Sequence, residues 1–584
     1  MTDNTSELKN HKAIQDKPES GASLESDSNF ECCDETAESG SAPAEAAESM
    51  DEDSILSFGR LDIDAWQGRI ARILILLALC AQPLFVTPSD YVSHYLDLVI
   101  RKFAFFAIYM CIILFAVLLI WCSRLLRKPR LLPKGRLSIA DWAILTFAAV
   151  TVLSAILSPY ASESSLWIGR PERHDGAITQ LFYIAIYFII SRWYRPHKKD
   201  FVIFGVSALT LSIIGIFQSY GVDVLDTLLS ERTAELTVII NHLSTIGNTN
   251  FVSTYAITVA LFFGFMYIKS TSKWQAFLLI TSAICFWLFI LSNADSGRVG
   301  LLAAFAFSVL FIVGNRQILG RFTTLGASWV LIYTLQALFS SIESRSISNL
   351  PVLLIQTAVF ALLTVIGMFL IKFRKKDMLV DNDARIKWKL GLVLFTLIIA
   401  TGFVGIEIFG RSENRGMIYE AREMLHGNFQ DEFGTLRIFT WRHGLLAFTQ
   451  HPIIGSGPDT FRSALSAEAH SIGMFSYGYI FDKAHNEYLQ ILVCQGILGL
   501  LSYLLFLGWI FIKSIPKAYK NPLVLATLIA VTGYLVQAFF NISMPIASQI
   551  LWVLLGLLMN ERVRSGEFDA PANKDHNAMP PVSD

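Results

Sequence analysis

The sequence predicts an all-α, polytopic transmembrane helix bundle with a large, partly helical extracytoplasmic loop. Of its 584 residues, 53% are hydrophobic and only 16% are charged, a balance that a water-soluble globular protein could not cover with polar surface. Apolar runs of roughly 17–25 residues, the length that crosses a bilayer, recur along most of the chain. A long polar stretch, residues 411–485, interrupts them near the C-terminus.

The apolar runs define about fourteen candidate transmembrane helices. The windows at 299–313 and 545–560 are short, so a count of twelve or thirteen also fits. The windows lie near 70–86, 100–121, 139–157, 176–191, 200–218, 251–268, 275–292, 299–313, 322–340, 351–371, 388–410, 486–512, 523–540 and 545–560.

The polar segments divide the chain further. Residues 1–53 are rich in Asp, Glu, Ser and Ala and poor in large apolar residues, which predicts a disordered acidic tail. Residues 54–69 mix apolar and charged side chains, as in an interfacial amphipathic helix or an ordinary linker with a Trp anchor. The predicted organisation continues with helices 1–11 over 70–410, the loop 411–485, helices 12–14 over 486–560 and a tail over 561–584.

Basic residues predict the orientation of these helices. They concentrate in every second connection, as in the cluster from Arg124 to Arg136 and the next from Arg192 to Lys199. Because basic loops stay in the cytoplasm, both termini are expected there and the 411–485 loop outside. The candidate active site is therefore expected on the extracytoplasmic side of the membrane.

The cations on the predicted outer side are mostly arginines. A guanidinium pairs bidentately with phosphate oxygens and stays charged in a partly desolvated site, so the set suits a membrane-bound phosphate or diphosphate. Any single member is better explained as a solvated charge or as the partner of a nearby carboxylate, so the prediction rests on the set. The set comprises Arg170, Arg173, Arg232, Arg298, Arg345, Arg411, Arg415, Arg422, Arg437, Arg442 and Arg462.

Three outer segments are candidate binding elements. Arg170 and Arg173 lie in a glycine-containing segment that leads into the fourth helix, where the helix dipole favours an anion. Asn250 lies at the start of the sixth helix and could bind substrate or simply cap that helix. Arg298 follows a polar hinge at the membrane boundary and could be functional or could pair with Asp295.

The 411–485 loop supplies the remaining candidates. A helix is predicted over 435–450, which places Arg437 and Trp441 on one face, either to grip a charged sugar ligand or as a docking stripe. His485 precedes a helix that Asn486 can cap, and a helix N-terminus favours the neutral imidazole of a general base. A hydrogen-bonded loop histidine is the alternative. The histidines of the loop show no zinc-ligand spacing, so no metal site is expected.

Several motifs together resemble the O-antigen ligase and O-antigen polymerase family of bacterial membrane glycosyltransferases. The upstream Gly169-Arg170, 247–250 and 296–298 are similar to earlier motifs of that family. The strongest similarity lies in Arg437-Ile-Phe-Thr-Trp441, His451-Pro-Ile-Ile-Gly455-Ser-Gly457, Ala484-His485-Asn486-Glu487-Tyr488-Leu489-Gln490 and Gly496-Ile-Leu-Gly499.

This resemblance implies transfer of a glycan from an undecaprenyl-diphosphate carrier to a hydroxyl on a glycan, lipid or protein acceptor. Membrane lipid is the other expected partner, with no nucleic acid, metal or cofactor. By motif, His485 matches the essential loop histidine of the family and Arg298 an arginine that engages the diphosphate. Arg437 matches a recurrent arginine of less defined role, and Arg170 and Arg173 have no specific counterpart.

Three enzyme activities remain as alternatives, and they differ in the acceptor of the glycan. An O-antigen ligase, a surface-polysaccharide polymerase and a protein O-oligosaccharyltransferase share this donor chemistry. A membrane transporter is the alternative from another class. Transporters place ionisable residues at the bilayer midplane and show internal repeats, whereas the charges of this chain gather at outer helix ends.

Overall fold

A computed structural model describes residues 63–87, 95–127, 137–160, 165–222, 242–270, 273–313, 315–343, 350–372, 384–412 and 415–566. The predicted acidic tail 1–53, most of the 54–69 segment, Arg232, Arg345 and most of the C-terminal tail lie outside these residues.

Each predicted apolar window coincides with a helix, which confirms the all-α polytopic fold. In the first, α1 (Ile63–Leu76) continues through a π-helical turn (Leu77–Ala81) into α2 (Gln82–Leu84). The others contain α3 (Tyr95–Arg127), α4 (Ile139–Ile156), α6 (Ala177–Trp193), α7 (Lys198–Ser219), α8 (Thr249–Lys269), α9 (Gln275–Leu291), α10 (Asp295–Ile312), α11 (Arg316–Glu343), α12 (Leu350–Lys372), α13 (Ala384–Gly410), α18 (Glu487–Ala518), α19 (Pro522–Ala538) and α20 (Gln549–Met559).

Short elements connect these helices. Within the described residues, nine helices are long and apolar enough to cross a membrane, and four shorter ones are also apolar. Two-residue strands β1 (His242–Leu243) and β2 (Gly247–Asn248) pair antiparallel. The remaining short helices are α5 (Ser165–Ile168), α14 (Met417–Leu425), α15 (Phe433–Gln450), α16 (Phe461–Ala464), α17 (Ala467–Tyr477) and α21 (Glu561–Ser565). Four of them, α14 to α17, lie in the 411–485 loop, which is therefore partly helical as predicted.

The bundle is centred on α8, which is apolar around its circumference and buried on every face. It packs against α9 and α19. By contrast, α12 and α13 leave most of their apolar side chains exposed, as expected of helices that face lipid. Gln537 of α19 contacts both Ser253 near the start of α8 and Ser296 at the start of α10, and Lys483 joins the segments before α6 and α18 through Asp175. The end of the bundle where these helices start is here called the site end.

A break in α18 positions the site. At Gly496 the backbone takes φ 69° and ψ −171°, which interrupts the helix. The segment 452–457 lies in this break and forms backbone hydrogen bonds with it: Ser456 N to Val493 O, 2.9 Å, and Ile497 N to Pro452 O, 2.9 Å. The two motifs of the sequence analysis, 451–457 and 496–499, are thus two sides of one backbone interlock.

Glycine is required at this interlock because there is no space for a side chain. Gly455 has a φ of 78°, and a Cβ atom there would lie 2.3 Å from the carbonyl carbon of Cys494. A Cβ atom on Gly496 would lie 2.3 Å from the carbonyl oxygen of Ile453. Both distances are far below van der Waals contact.

We expect Gly455→Ala to destabilise the protein by more than about 2 kcal/mol, since the left-handed backbone alone costs an alanine about 1–2 kcal/mol. Thermal unfolding in detergent, followed by size-exclusion chromatography, measures this effect. Gly508→Ala in the same α18 is the matched control, because no atom lies within 4 Å of the added methyl group. Equal melting temperatures for the two variants would contradict the interlock.

Candidate active site

A buried ion triad joins three distant segments at the site end. The Nζ atom of Lys483 lies 2.7 Å from Asp175 Oδ2 and 2.8 Å from Asp459 Oδ1, and its side chain is fully buried. Burial alone would lower the pKa of Lys483, but the two carboxylates outweigh it and raise this pKa above its usual range. The triad therefore fixes the loop before α18 against the segments around residues 175 and 459.

His485 lies two residues after this lysine. Asn486 caps α18 as predicted, its Oδ1 accepting from the backbone N–H groups of Tyr488 and Leu489 at 3.0 and 3.1 Å. The indole N–H of Trp441 donates to the carbonyl oxygen of Ala484 at 3.0 Å. Hydrogen bonds on both sides therefore hold the backbone of His485, which has a φ of 48°, in the left-handed region.

The surroundings of His485 favour its neutral form. Burial and the nearby guanidinium of Arg437 lower the pKa of His485 to about 4, with further lowering by Arg173 and Lys483. Asp482 acts in the opposite direction but does not outweigh them. At neutral pH the imidazole is thus unprotonated and able to accept a proton.

Arg173 is one of the sequence-predicted arginines that the structure brings to His485. Its Nε donates to Asp482 Oδ2 at 2.6 Å, and the two side chains are 19% and 18% exposed. Its Nη1 also contacts the Met544 Sδ atom at 3.8 Å. Arg173 therefore lies at the rim of the site, with part of its guanidinium open to solvent.

Arg437 is the second arginine that affects His485, and it lies at the end of an unusual turn. Gly434, Thr435 and Leu436 all have left-handed backbone angles, with φ of 64°, 58° and 68°, so regular helix in α15 starts only at Arg437. The Arg437 Nη1 donates to Gly434 O at 2.7 Å. Burial lowers the pKa of this arginine, while the negative charges of Asp295 and Glu420 raise it. The influence of Asp295 links Arg437 to the hinge before α10.

Arg298 belongs to that hinge. Its guanidinium pairs with Asp295 Oδ1 at 2.5 Å and also donates to Asn293 Oδ1, so the ion pair considered from the sequence is present. The pair is exposed, with 49% of the arginine side chain accessible. Asp295 interacts with both Arg298 and Arg437, and in this way the structure associates two predicted arginines through one carboxylate.

Arg170 and Asn250 make structural contacts. The backbone N–H of Arg170 donates to Asp459 Oδ2 at 2.6 Å and its Nη2 to Ser463 Oγ at 2.9 Å, which ties two loops together. The side chain that caps α8 is Asn248, whose Oδ1 accepts from Asn250 N at 2.9 Å, so the cap suggested for Asn250 is two residues earlier. Substrate binding by Arg170, Asn250 or Trp441 stays a prediction.

Backbone strain concentrates around the same site. Of the seven non-glycine residues with positive φ in the described parts of the chain, six lie in segments that build it: His174, Asn293, Thr435, Leu436, Asp459 and His485. Each such residue costs about 1–3 kcal/mol and persists only where the surroundings hold it, which is typical of functional sites. The described residues contain no group of three or more His, Cys, Asp or Glu side chains placed to hold a metal ion.

Sequence reasoning missed the residues that assemble the site. Lys483, Asp175 and Asp459 were not singled out, although the first two lie inside segments that were. The ion pair between Lys483 and Asp175 spans 308 residues, and spacing along the chain carries no signal for so distant a partner. A charge next to the entrance of an apolar helix was the only available indication.

Comparison with protein-family models matches residues 346–504 to the family described as O-antigen ligase. Over these residues the chain is similar to the O-antigen ligase family. This match confirms the resemblance found in the sequence and supports a membrane glycosyltransferase-like role in polysaccharide biosynthesis. A search of curated proteins returns no match. The matched residues include Arg437, Trp441 and His485, whereas Arg173 and Arg298 come from earlier in the chain.

We expect Arg437→Gln to raise the pKa of His485 from about 4 toward its usual value of 6.5, since the substitution removes a positive charge that disfavours protonation. Diethyl pyrocarbonate reacts with neutral imidazole, so mass spectrometry of His485 modification against pH measures the midpoint without an activity assay. The pH range in which His485 reacts should shrink from the acid side, so that modification fails at a higher pH than in the unaltered protein.

Arg442→Gln is the matched control for this titration. Arg442 lies on the same helix α15, is exposed, and pairs with Asp431 at 3.0 Å. Removing the charge of Arg442 should leave the pH midpoint of His485 modification unchanged. An unchanged midpoint in Arg437→Gln would show that Arg437 does not contribute to the low pKa of His485.

Proposed function

We propose that the protein transfers a glycan from an undecaprenyl-diphosphate carrier to an acceptor hydroxyl on the outer face of the cytoplasmic membrane. The observation that carries this proposal is the position of a neutral, half-buried His485 between the positive charges of Arg437 and Arg173. A general base beside arginines suits a reaction in which an alcohol attacks and a diphosphate leaves.

The arginines are proposed to hold the diphosphate of the donor. Arg298 is half exposed, and an exposed ion pair of the kind it makes with Asp295 contributes only about 0–1 kcal/mol, so the pair can yield to a doubly charged ligand. A guanidinium binds phosphate oxygens through two parallel hydrogen bonds. Arg437 and Arg173 would complete the clamp from the 411–485 loop and from the segment before α6.

His485 is proposed to activate the acceptor. Its imidazole takes the proton of the acceptor hydroxyl as that oxygen attacks the anomeric carbon of the donor sugar. The new C–O bond forms while the bond between this carbon and the phosphate oxygen breaks, and undecaprenyl diphosphate leaves with the bonding electron pair. The imidazolium then releases its proton to water. The guanidinium groups neutralise the negative charge of the leaving diphosphate, so we propose that the transfer needs neither metal nor cofactor.

The proposed topology puts both termini in the cytoplasm and the site outside, where lipid-linked glycans are presented. This orientation is supported by the basic residues in alternate connections. The similarity of residues 346–504 to the O-antigen ligase family favours a ligase-type acceptor, which is a saccharide hydroxyl on a lipid. A polymerase would elongate the lipid-linked chain, and a protein O-oligosaccharyltransferase would modify a Ser or Thr hydroxyl.

Incubation of the purified protein with undecaprenyl-diphosphate glycan and each class of acceptor tests the function directly. Gel electrophoresis and mass spectrometry of the product distinguish the three activities. A polymerase would give longer lipid-linked chains, a ligase would give glycan on a lipid saccharide, and a protein O-oligosaccharyltransferase would give glycan on protein. Counterflow of a solute in proteoliposomes without any covalent product would instead establish a transporter and overturn the proposal.

We expect His485→Gln to lower the transfer rate by about a hundredfold or more, the usual contribution of a general base. The amount of folded, membrane-inserted protein should not change. His426→Gln is the control, since this exposed histidine of the same loop pairs with Glu407 at 2.8 Å, away from the site. Full activity of a folded His485→Gln protein would eliminate the imidazole as base.

Arg298→Lys keeps the charge but removes the bidentate geometry, so we expect at least tenfold lower kcat/KM for the lipid-linked donor and no change in KM for the acceptor. Steady-state kinetics with each substrate varied in turn measures both values. Arg411→Lys serves as the control, because Arg411 is an exposed arginine directly after α13 that pairs with Glu407 of that helix. Equal donor kinetics in the two variants would remove Arg298 from the clamp.

A further inference from the structure

A cavity lined by basic residues lies at the end of the bundle opposite the site end. Its volume is about 530 Å³, within the range of 300–1,000 Å³ that small-ligand sites occupy. It opens where α8 and α18 end and where α7, α9 and α19 begin. The distribution of basic residues predicts this end to be cytoplasmic.

The cavity is strongly basic. None of the described lining residues is acidic. Five of the twelve are cations: Lys198, Lys269, Lys517, Lys520 and Arg564. Such a concentration of like charge is unfavourable unless an anion shares the space. The indole of Trp274 lines the same cavity and is a residue typical of the membrane interface.

The helix ends around the cavity add to its positive potential. The helix α9 begins here without a side-chain cap and without an acidic residue in its first turn, so the positive end of its dipole lies in this region. The helix α7 also lacks a side-chain cap, but its first turn carries the acidic Asp200, which is buried and paired with Arg72. The carbonyl groups that end α18 are covered by Lys269, which donates to Ala518 O at 2.7 Å and Tyr519 O at 2.8 Å.

The end of α8 is covered in a similar way. Arg321 Nη1 donates to Ser270 O at 2.5 Å, which places a further cation on the carbonyl groups there. Because the negative helix ends are neutralised by Lys269 and Arg321, the side chains of Lys517, Lys520 and Arg564 remain to face an anion.

We propose that this cavity binds a phosphate-bearing anion. The chemistry fits the headgroup of an anionic phospholipid or a free phosphate, and the position at a helix-bundle end beside an interfacial tryptophan favours the lipid. Basic pockets between transmembrane helices on the cytoplasmic side bind acidic headgroups in this way. The proposal is independent of glycan transfer, because none of the lining residues belongs to the site around His485.

Native mass spectrometry of the purified full chain in detergent tests the proposal with three probes. Phosphatidylglycerol is the anionic lipid, diacylglycerol with the same acyl chains is the uncharged comparison, and inorganic phosphate is the soluble ion. We expect phosphatidylglycerol to bind more tightly than diacylglycerol, and this preference to weaken as ionic strength rises. Displacement by inorganic phosphate in the millimolar range would assign the site to the soluble ion.

The triple variant Lys517→Gln, Lys520→Gln and Arg564→Gln should weaken phosphatidylglycerol binding at least tenfold, since each basic residue near an acidic headgroup contributes roughly fivefold. A charge-matched control replaces three lysines that do not line the cavity, Lys199→Gln, Lys273→Gln and Lys513→Gln, and should retain binding.

Two results would overturn the proposal. One is equal loss of binding in the two triple variants, which would indicate general attraction to the basic end of the bundle. The other is binding of neither phosphatidylglycerol nor phosphate above the diacylglycerol level. If the triple variant does not fold, the single substitution Lys520→Glu at an exposed position gives the same comparison with Lys513→Glu.

Discussion

The buried contact of Lys483 with Asp175 and Asp459 is the interaction on which the candidate site depends. Removing one member of a buried ion pair costs about 3–5 kcal/mol, because the others stay charged without a partner. This triad fixes the position of His485 two residues later and holds the segment that carries Arg173. The same Asp459 accepts the backbone N–H of Arg170. One lysine thus aligns loops that are about 300 residues apart in sequence.

Backbone hydrogen bonds, as well as the charges of the triad, make the region around Lys483 rigid. The 452–457 segment lies in the break of α18 at Gly496, where backbone hydrogen bonds replace those the helix has lost. Six strained residues surround the site, and their cost is offset by packing elsewhere in the bundle. Trp441 contributes as a positioning residue, since its indole binds the carbonyl of Ala484. The proposed base, His485, and its neighbouring arginines are therefore held in place in the free protein.

Local patterns in the sequence were enough to predict the helices and part of the site. Continuous apolar runs identified each membrane helix, and a single residue type identified Asn486 as a cap, because both signals act over one or two helical turns. His485, Arg437 and Arg298 were predicted from their positions at helix ends and in the polar loop, and the motif resemblance supplied their expected roles. The cap of α8 is also local, but it is made by Asn248 and not by Asn250. The triad at Lys483 and the effect of Asp295 on Arg437 join segments that are distant in sequence. No spacing rule along one chain encodes which carboxylate a buried lysine will meet.

The positive charges around His485 also bear on the order of events in the proposed transfer. In the free protein they oppose protonation of the imidazole, which makes it a weak base. A diphosphate bound to the same arginines would cancel part of that repulsion and strengthen the base. Acceptor activation would then follow donor binding, and water or an early acceptor would meet a poorly activating histidine. In the proposed reaction the lipid-linked substrate would therefore bind first, and the activated glycan would be protected from premature hydrolysis.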